Sequence, residues 1–121
     1  MTDPRTVLIV DDDEGIRHAL RLVFELGGYQ VIGEARDGVE AVALGLRHQP
    51  TFVLLDYLMP RQSGEKTAEV LRTVSPGSRI VAFSAVLSEK PEWADAYLNK
   101  DRIGEVVPLL GELIGLEASG T

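Results

Sequence analysis

The sequence contains no cysteine. That excludes a disulfide framework, thiolate metal sites and cysteine nucleophiles. Basic residues are in deficit: 12 Lys and Arg face 19 Asp and Glu, leaving a net charge of −7. Nucleic-acid phosphates and anionic membrane surfaces both require a basic patch, so neither is an expected partner. No apolar run approaches the roughly 18–20 residues of a membrane-spanning helix. The opening Met-Thr-Asp-Pro-Arg has no signal-peptide apolar region, and residues 7–10 are too short to serve as one. A cytoplasmic location is expected.

Against these absences, 45% of the 121 residues are hydrophobic, enough to build a core. The length suits one domain, residues 1–121 with a core over 6–116. "TVLIV" at 6–10 is a short, β-branched apolar run, the pattern of a strand buried on both faces. Ile16, Ala19, Leu20, Val23 and Phe24 then recur at helical spacing until Gly27-Gly28. A second strand is expected at 31–35. Asp37 can cap a second helix, whose stripe is Val39, Val42, Ala43 and Leu46. Residues 52–56 read as a third strand. Ser63 can cap a third helix with Thr67, Val70, Leu71 and Val74 on its apolar face. Residues 79–84 and 96–99 read as the last two strands. A final helix carries Val106, Leu109, Leu110, Leu113 and Ile114, and starts near Gly104 or Glu105 so that Pro108 falls close to its first turn.

Strands alternating with helices predict an α/β fold: a five-stranded parallel sheet with helices on both faces. The expected strand order is 2-1-3-4-5, in which the switch point lies between the first and third strands. Ligands bind such sheets at the carboxyl ends of the strands. Here the first strand ends in Asp11-Asp12-Asp13, the third in Asp56, the fourth in Ser84 and the fifth in Asn99-Lys100. Singly, each has an ordinary reading: the acids cap a helix, the lysine is solvated, the serine closes a turn. Together they converge on one edge. Converging carboxylates repel one another unless a cation sits among them. Oxygen ligands without His or Cys suit Mg²⁺. An ammonium, a hydroxyl and a free carboxylate beside that ion suit the handling of phosphoryl charge, including formation of an aspartyl-phosphate. His18 and His48 read as surface residues.

These segments resemble the receiver domain of two-component response regulators. "VLIVDDDEGIR" is similar to the family's first strand and acidic turn, "LLDYLMPRQSG" to its phospho-acceptor segment, "IVAFSA" to its fourth strand and "AYLNK" to its aromatic-x-x-Lys strand. The resemblance implies phosphorylation of Asp56. It implies Mg²⁺ as cofactor, held by Asp11, Asp12, Asp56 and the backbone carbonyl of Leu58. Lys100 would contact the phosphoryl group, Ser84 would move to hydrogen-bond it, and Tyr97 would swing inward. Asp13 matches no usual ligand and is expected to cap the first helix. The implied phospho-donor is a sensor histidine kinase or a histidine phosphotransfer protein, and the implied output is a conformational switch controlling a partner or an attached domain. Catalysis would be confined to the chain's own phosphorylation and dephosphorylation.

The resemblance departs in one region. "AVLSEKPEWAD", between Ser84 and Ala96, contains Pro91 and has no apolar stripe. The family's fourth helix, which belongs between the fourth and fifth strands, is expected to be short or missing. The family's common dimer and output face uses that helix, so any homodimer need not form through it. Trp93 stands where the family has glycine, and is expected to cover the gap rather than to anchor a partner. Lys100 is followed by Asp101 instead of the usual proline. Two other functions compete with the phospho-accepting switch. A Mg²⁺-dependent phosphohydrolase with an Asp nucleophile commonly has a second Asp two residues on, where this chain has Leu58. A constitutive binding module would use the acids structurally.

Overall fold

The computed structural model describes residues 5–59 and 61–119, with side chains described as far as residue 115. In chain order the elements are β1 (Thr6–Val10), α1 (Glu14–Leu26), β2 (Gln30–Ala35), α2 (Gly38–His48), β3 (Phe52–Leu55), α3 (Gly64–Val74), β4 (Arg79–Ser84), β5 (Ala96–Asn99), a 3₁₀ segment (Lys100–Glu105) and α4 (Val106–Ser119). The sheet order is β2-β1-β3-β4-β5, and every pairing is parallel. This is the order expected from the sequence.

The continuous apolar strands are explained by two cores. Side chains alternate across a strand, so neighbours in sequence face opposite sides. Val7 and Ile9 of β1, Phe52 and Leu54 of β3, and Val81 and Phe83 of β4 pack with Leu20 and Phe24 of α1 and with Val106 and Leu110 of α4. Leu8, Val10, Val53, Leu55, Ile80 and Ala82 point the other way, onto Ala41 of α2 and Ala68 and Leu71 of α3. The three central strands therefore lack a polar face, and their polar residues appear only where they end.

The helix starts follow the capping rules. Asp13 accepts from the Ile16 N–H, Asp37 from Glu40 and Ser63 from Lys66. His18 and His48 are exposed, as expected. Pro108 lies in the first turn of α4, which the 3₁₀ segment precedes. No cis peptide occurs among the described residues.

Two findings concern the helices. The expected stripe of α2 is rotated: Val39 and Leu46 are more than half exposed, while Gly38, Ala41 and Gly45 face inward. The cause is close approach to α3. A Cβ on Gly45 would lie 2.6 Å from Leu71 Cδ2, so small residues had to form the contact face and the larger apolar ones were turned outward. Between β4 and β5, residues 85–95 form bends and turns without a helix. In its place, the Ala94 N–H donates to the Pro91 carbonyl at 3.2 Å and the Asp95 N–H to the Ile80 carbonyl at 2.8 Å. Trp93 is half-buried against the Leu8 side of the core and stacks on Tyr57.

Candidate functional site

The sheet's own hydrogen bonds run into the site. Beyond β1, the Asp11 N–H donates to the Ala35 carbonyl of β2 at 3.0 Å. Beyond β3, the Asp56 N–H donates to the Val10 carbonyl at 3.0 Å. Both aspartates are therefore held as extensions of buried strands, and both are buried. Asp12 is exposed at the rim. Ligand oxygens of Asp11, Asp12 and Asp56 all lie within 4.8 Å of one another. Gly64 permits α3 to start against this turn: a Cβ there would be 2.5 Å from the Asp56 carbonyl oxygen and 2.8 Å from Tyr57 Cα.

Among the described residues, one cation reaches these carboxylates. Lys100, just after β5, places Nζ 2.7 Å from Asp11 Oδ2 and 3.3 Å from Asp56 Oδ2. Burial, followed by the charge of Asp11, pushes the Asp56 carboxyl up to about 6; Lys100 and the Leu58 backbone N–H only partly offset this. Burial acts downward on Lys100, but hydrogen bonding and attraction to Asp11 and Asp56 outweigh it, and its pKa is raised. Asp11 Oδ2 is sealed from solvent, and among the described residues Lys100 is its close countercharge. Three carboxylates that offer only oxygen ligands, and that a single lysine neutralises in part, fit a hard divalent cation.

The remaining expected residues surround this centre. Ser84 is buried at the end of β4, and its Oγ accepts from the Val86 N–H at 3.1 Å. Tyr97, on β5, is half-buried and donates its hydroxyl to the Leu87 carbonyl. Leu58 follows Asp56 in the loop; its side chain is exposed and its backbone N–H faces the Asp56 carboxylate. Asp13 stays out of the acid cluster: its carboxylate caps α1, and its N–H donates to Asp11 Oδ1 at 2.9 Å.

Sequence reasoning missed Arg17. It is buried, donates through Nη1 to the Asp11 backbone carbonyl at 2.6 Å, and pairs through Nε with Glu34 Oε1 on β2 at 3.3 Å. The signal was its place: at i, i+3 and i+7 with Leu20 and Phe24, it occupies the centre of the buried stripe of α1, where a charge demands a partner.

The response regulator receiver domain family matches residues 7–101. The chain is 36% identical over 113 residues to the transcriptional regulatory protein PdtaR of Mycobacterium tuberculosis, covering 88% of this chain and 55% of that protein. It is 33% identical over 106 residues to the nitrate/nitrite response regulator NarL of Escherichia coli, covering 82% and 49% respectively. The chain thus spans about half the length of these curated relatives. Among solved structures, the REC domain of AraT, a response regulator from Geobacillus stearothermophilus, superposes with a TM-score of 0.80 at 28% identity, covering 96% of this chain and 99% of that one. The receiver domain of a sensor histidine kinase from Pseudomonas aeruginosa, solved with a magnesium ion in its active-site cleft, gives 0.81 at 22% identity over 92% and 98% of the two chains. At that identity it speaks for the fold alone. Family match, curated relatives and strand order agree: this chain belongs to the receiver domain family of response regulators.

Proposed function

We propose that residues 1–121 form one receiver unit that accepts a phosphoryl group on Asp56. The observation that carries this reading is the juxtaposition of three carboxylates, with oxygens within 4.8 Å of one another, and a lysine ammonium 3.3 Å from Asp56. A sensor histidine kinase or a histidine phosphotransfer protein would be the donor. An Asp56 oxygen attacks phosphorus as the donor's P–N bond breaks, and the leaving imidazole nitrogen keeps the bonding pair and takes up a proton.

The residues divide the work. Asp11, Asp12, Asp56 and the Leu58 carbonyl are the proposed Mg²⁺ ligands. The ion, when bound, supplies positive charge against the phosphoryl oxygens. Lys100 adds a second positive charge and favours ionised Asp56, opposing the upward push of burial. Ser84 would exchange its Val86 partner for a phosphoryl oxygen, and Tyr97 would leave the Leu87 carbonyl and turn inward. The change in conformation is the output, read by a partner protein or an attached domain. The unit acts on no other substrate, and we place it in the cytoplasm; no helix among the described residues is long and apolar enough to cross a membrane.

Incubation with acetyl phosphate and Mg²⁺, followed by intact-mass and peptide mass spectrometry, should show one acid-labile phosphoryl group on Asp56. Equal labelling of Asp56→Asn would overturn the assignment.

A further inference from the structure

Where the chain passes from β4 to β5 without a helix, a cavity of about 490 Å³ opens against the start of α3. Tyr57, Glu65, Leu87, Pro91, Glu92 and Trp93 line it. Tyr57 and Trp93 stack with centroids 6.2 Å apart and planes 14° from parallel. Leu87 and Trp93 continue inward to the Leu8 side of the core, so one side of the groove is apolar and well supported. Glu65 and Glu92 are exposed and have no ion-pair partner among the described residues. The nearby lysines are engaged elsewhere. Lys66 pairs with Glu69 at 3.6 Å, and Lys90 Nζ donates to the Pro91 and Ala94 carbonyls at 3.4 and 3.0 Å. The wall is also braced: Arg72 of α3 donates to the Trp93 carbonyl and to Asp95 Oδ2, each at 3.0 Å.

We propose that this groove docks a basic amphipathic helix of a partner protein. An arginine guanidinium would lie over the Tyr57–Trp93 pair, within reach of Glu65 and Glu92, while an apolar side chain one turn away packs on Leu87 and Pro91. Aromatic faces attract guanidinium, and carboxylates hold it in a fork. An amphipathic helix laid in an apolar groove is a recurrent mode of peptide recognition. Arg72 holds the Trp93 end of the wall in place before binding. The two unpaired glutamates select basic partners over acidic ones. The proposal does not depend on phosphorylation of Asp56.

The test uses the full chain and a synthetic helical peptide with Arg and Leu on one face. A control peptide carries citrulline in place of arginine, which keeps the shape and removes the charge. Trp93 is the only tryptophan, so its fluorescence reads the groove directly. The arginine peptide should perturb Trp93 emission saturably and shift the amide resonances of Tyr57, Glu65, Leu87 and Trp93. The citrulline peptide and the double variant E65Q/E92Q should each weaken binding about tenfold or more, with the thermal midpoint unchanged. Equal binding by the double variant, or shifts spread over the acidic surface, would show unspecific attraction and overturn the proposal. So would absence of binding at millimolar peptide.

Discussion

The folded state holds Asp56 at about 6 against an ordinary 3.8, because burial and Asp11 disfavour its charge. The native protein therefore binds a proton there over a pH range in which the unfolded chain has released it. Stability falls with rising pH wherever the native state binds more protons. In metal-free buffer the penalty is absent below about pH 4, grows between about pH 4 and 6, and is complete above that. The displacement of roughly two pH units, at 1.36 kcal/mol each, is worth about 3 kcal/mol. Asp56→Asn keeps the shape and removes the ionisation. It should be more stable than the parent by about 3 kcal/mol at pH 7.5, roughly 10 °C in Tm for a domain of this size, and indistinguishable at pH 4. Urea denaturation followed by far-UV circular dichroism, in EDTA and then in millimolar Mg²⁺, measures both effects. Mg²⁺ should raise the parent's stability at pH 7.5 and leave Asp56→Asn nearly unmoved. A gap between the two proteins that is constant from pH 4 to 7.5 would refute the reasoning, as would a parent that is the more stable protein in EDTA at pH 7.5.

Three further outcomes follow from the same geometry. Asp12→Ala should weaken Mg²⁺ binding far more than Asp13→Ala, read by isothermal titration; Asp13→Ala should instead cost about 1 kcal/mol of stability as a lost helix cap. Arg17→Met should destabilise by about 1–3 kcal/mol in urea melts, because it strands the Asp11 carbonyl, while Glu34 keeps its pair with Arg21; a loss well under about 1 kcal/mol would show that Arg17 merely fills space. Gly45→Ala should cost about 1–3 kcal/mol through the clash with Leu71 Cδ2, despite alanine's better helix propensity, while Gly77→Ala, with open space at its Cβ, serves as the control.

The sheet order was readable because the central strands are apolar on both faces, a pattern that parallel burial produces and alternation does not. The acidic edge was readable for the same reason: on strands without polar faces, a charge can appear only at the end. The missing helix was readable from Pro91 and the lack of a stripe between Ser84 and Ala96. The α2 face was not, because periodicity assigns the larger apolar residues inward, and only the approach of Leu71 to Gly45 reverses that choice. Arg17 was legible only in part. Its spacing with Leu20 and Phe24 puts it on the buried stripe of α1, but its partners, Glu34 and the Asp11 carbonyl, reach it from other elements, and nothing local in the sequence names them.

The segment that replaces the helix has few internal hydrogen bonds of its own, yet it is tied to both residues we assign to the switch. Ser84 Oγ accepts the Val86 N–H, and the Tyr97 hydroxyl donates to the Leu87 carbonyl. The two ties meet on adjacent residues. A regular helix carries a displacement along its length, because each turn is bonded to the next. Residues 85–95 have no such ladder. If Ser84 and Tyr97 exchange partners on phosphorylation, the displacement starts at Val86 and Leu87, and Leu87 already lines the groove beside Trp93. Arg72 meanwhile ties the Trp93 carbonyl and Asp95 to α3. On the proposed reading, that displacement would reach the groove through Leu87 before any helix.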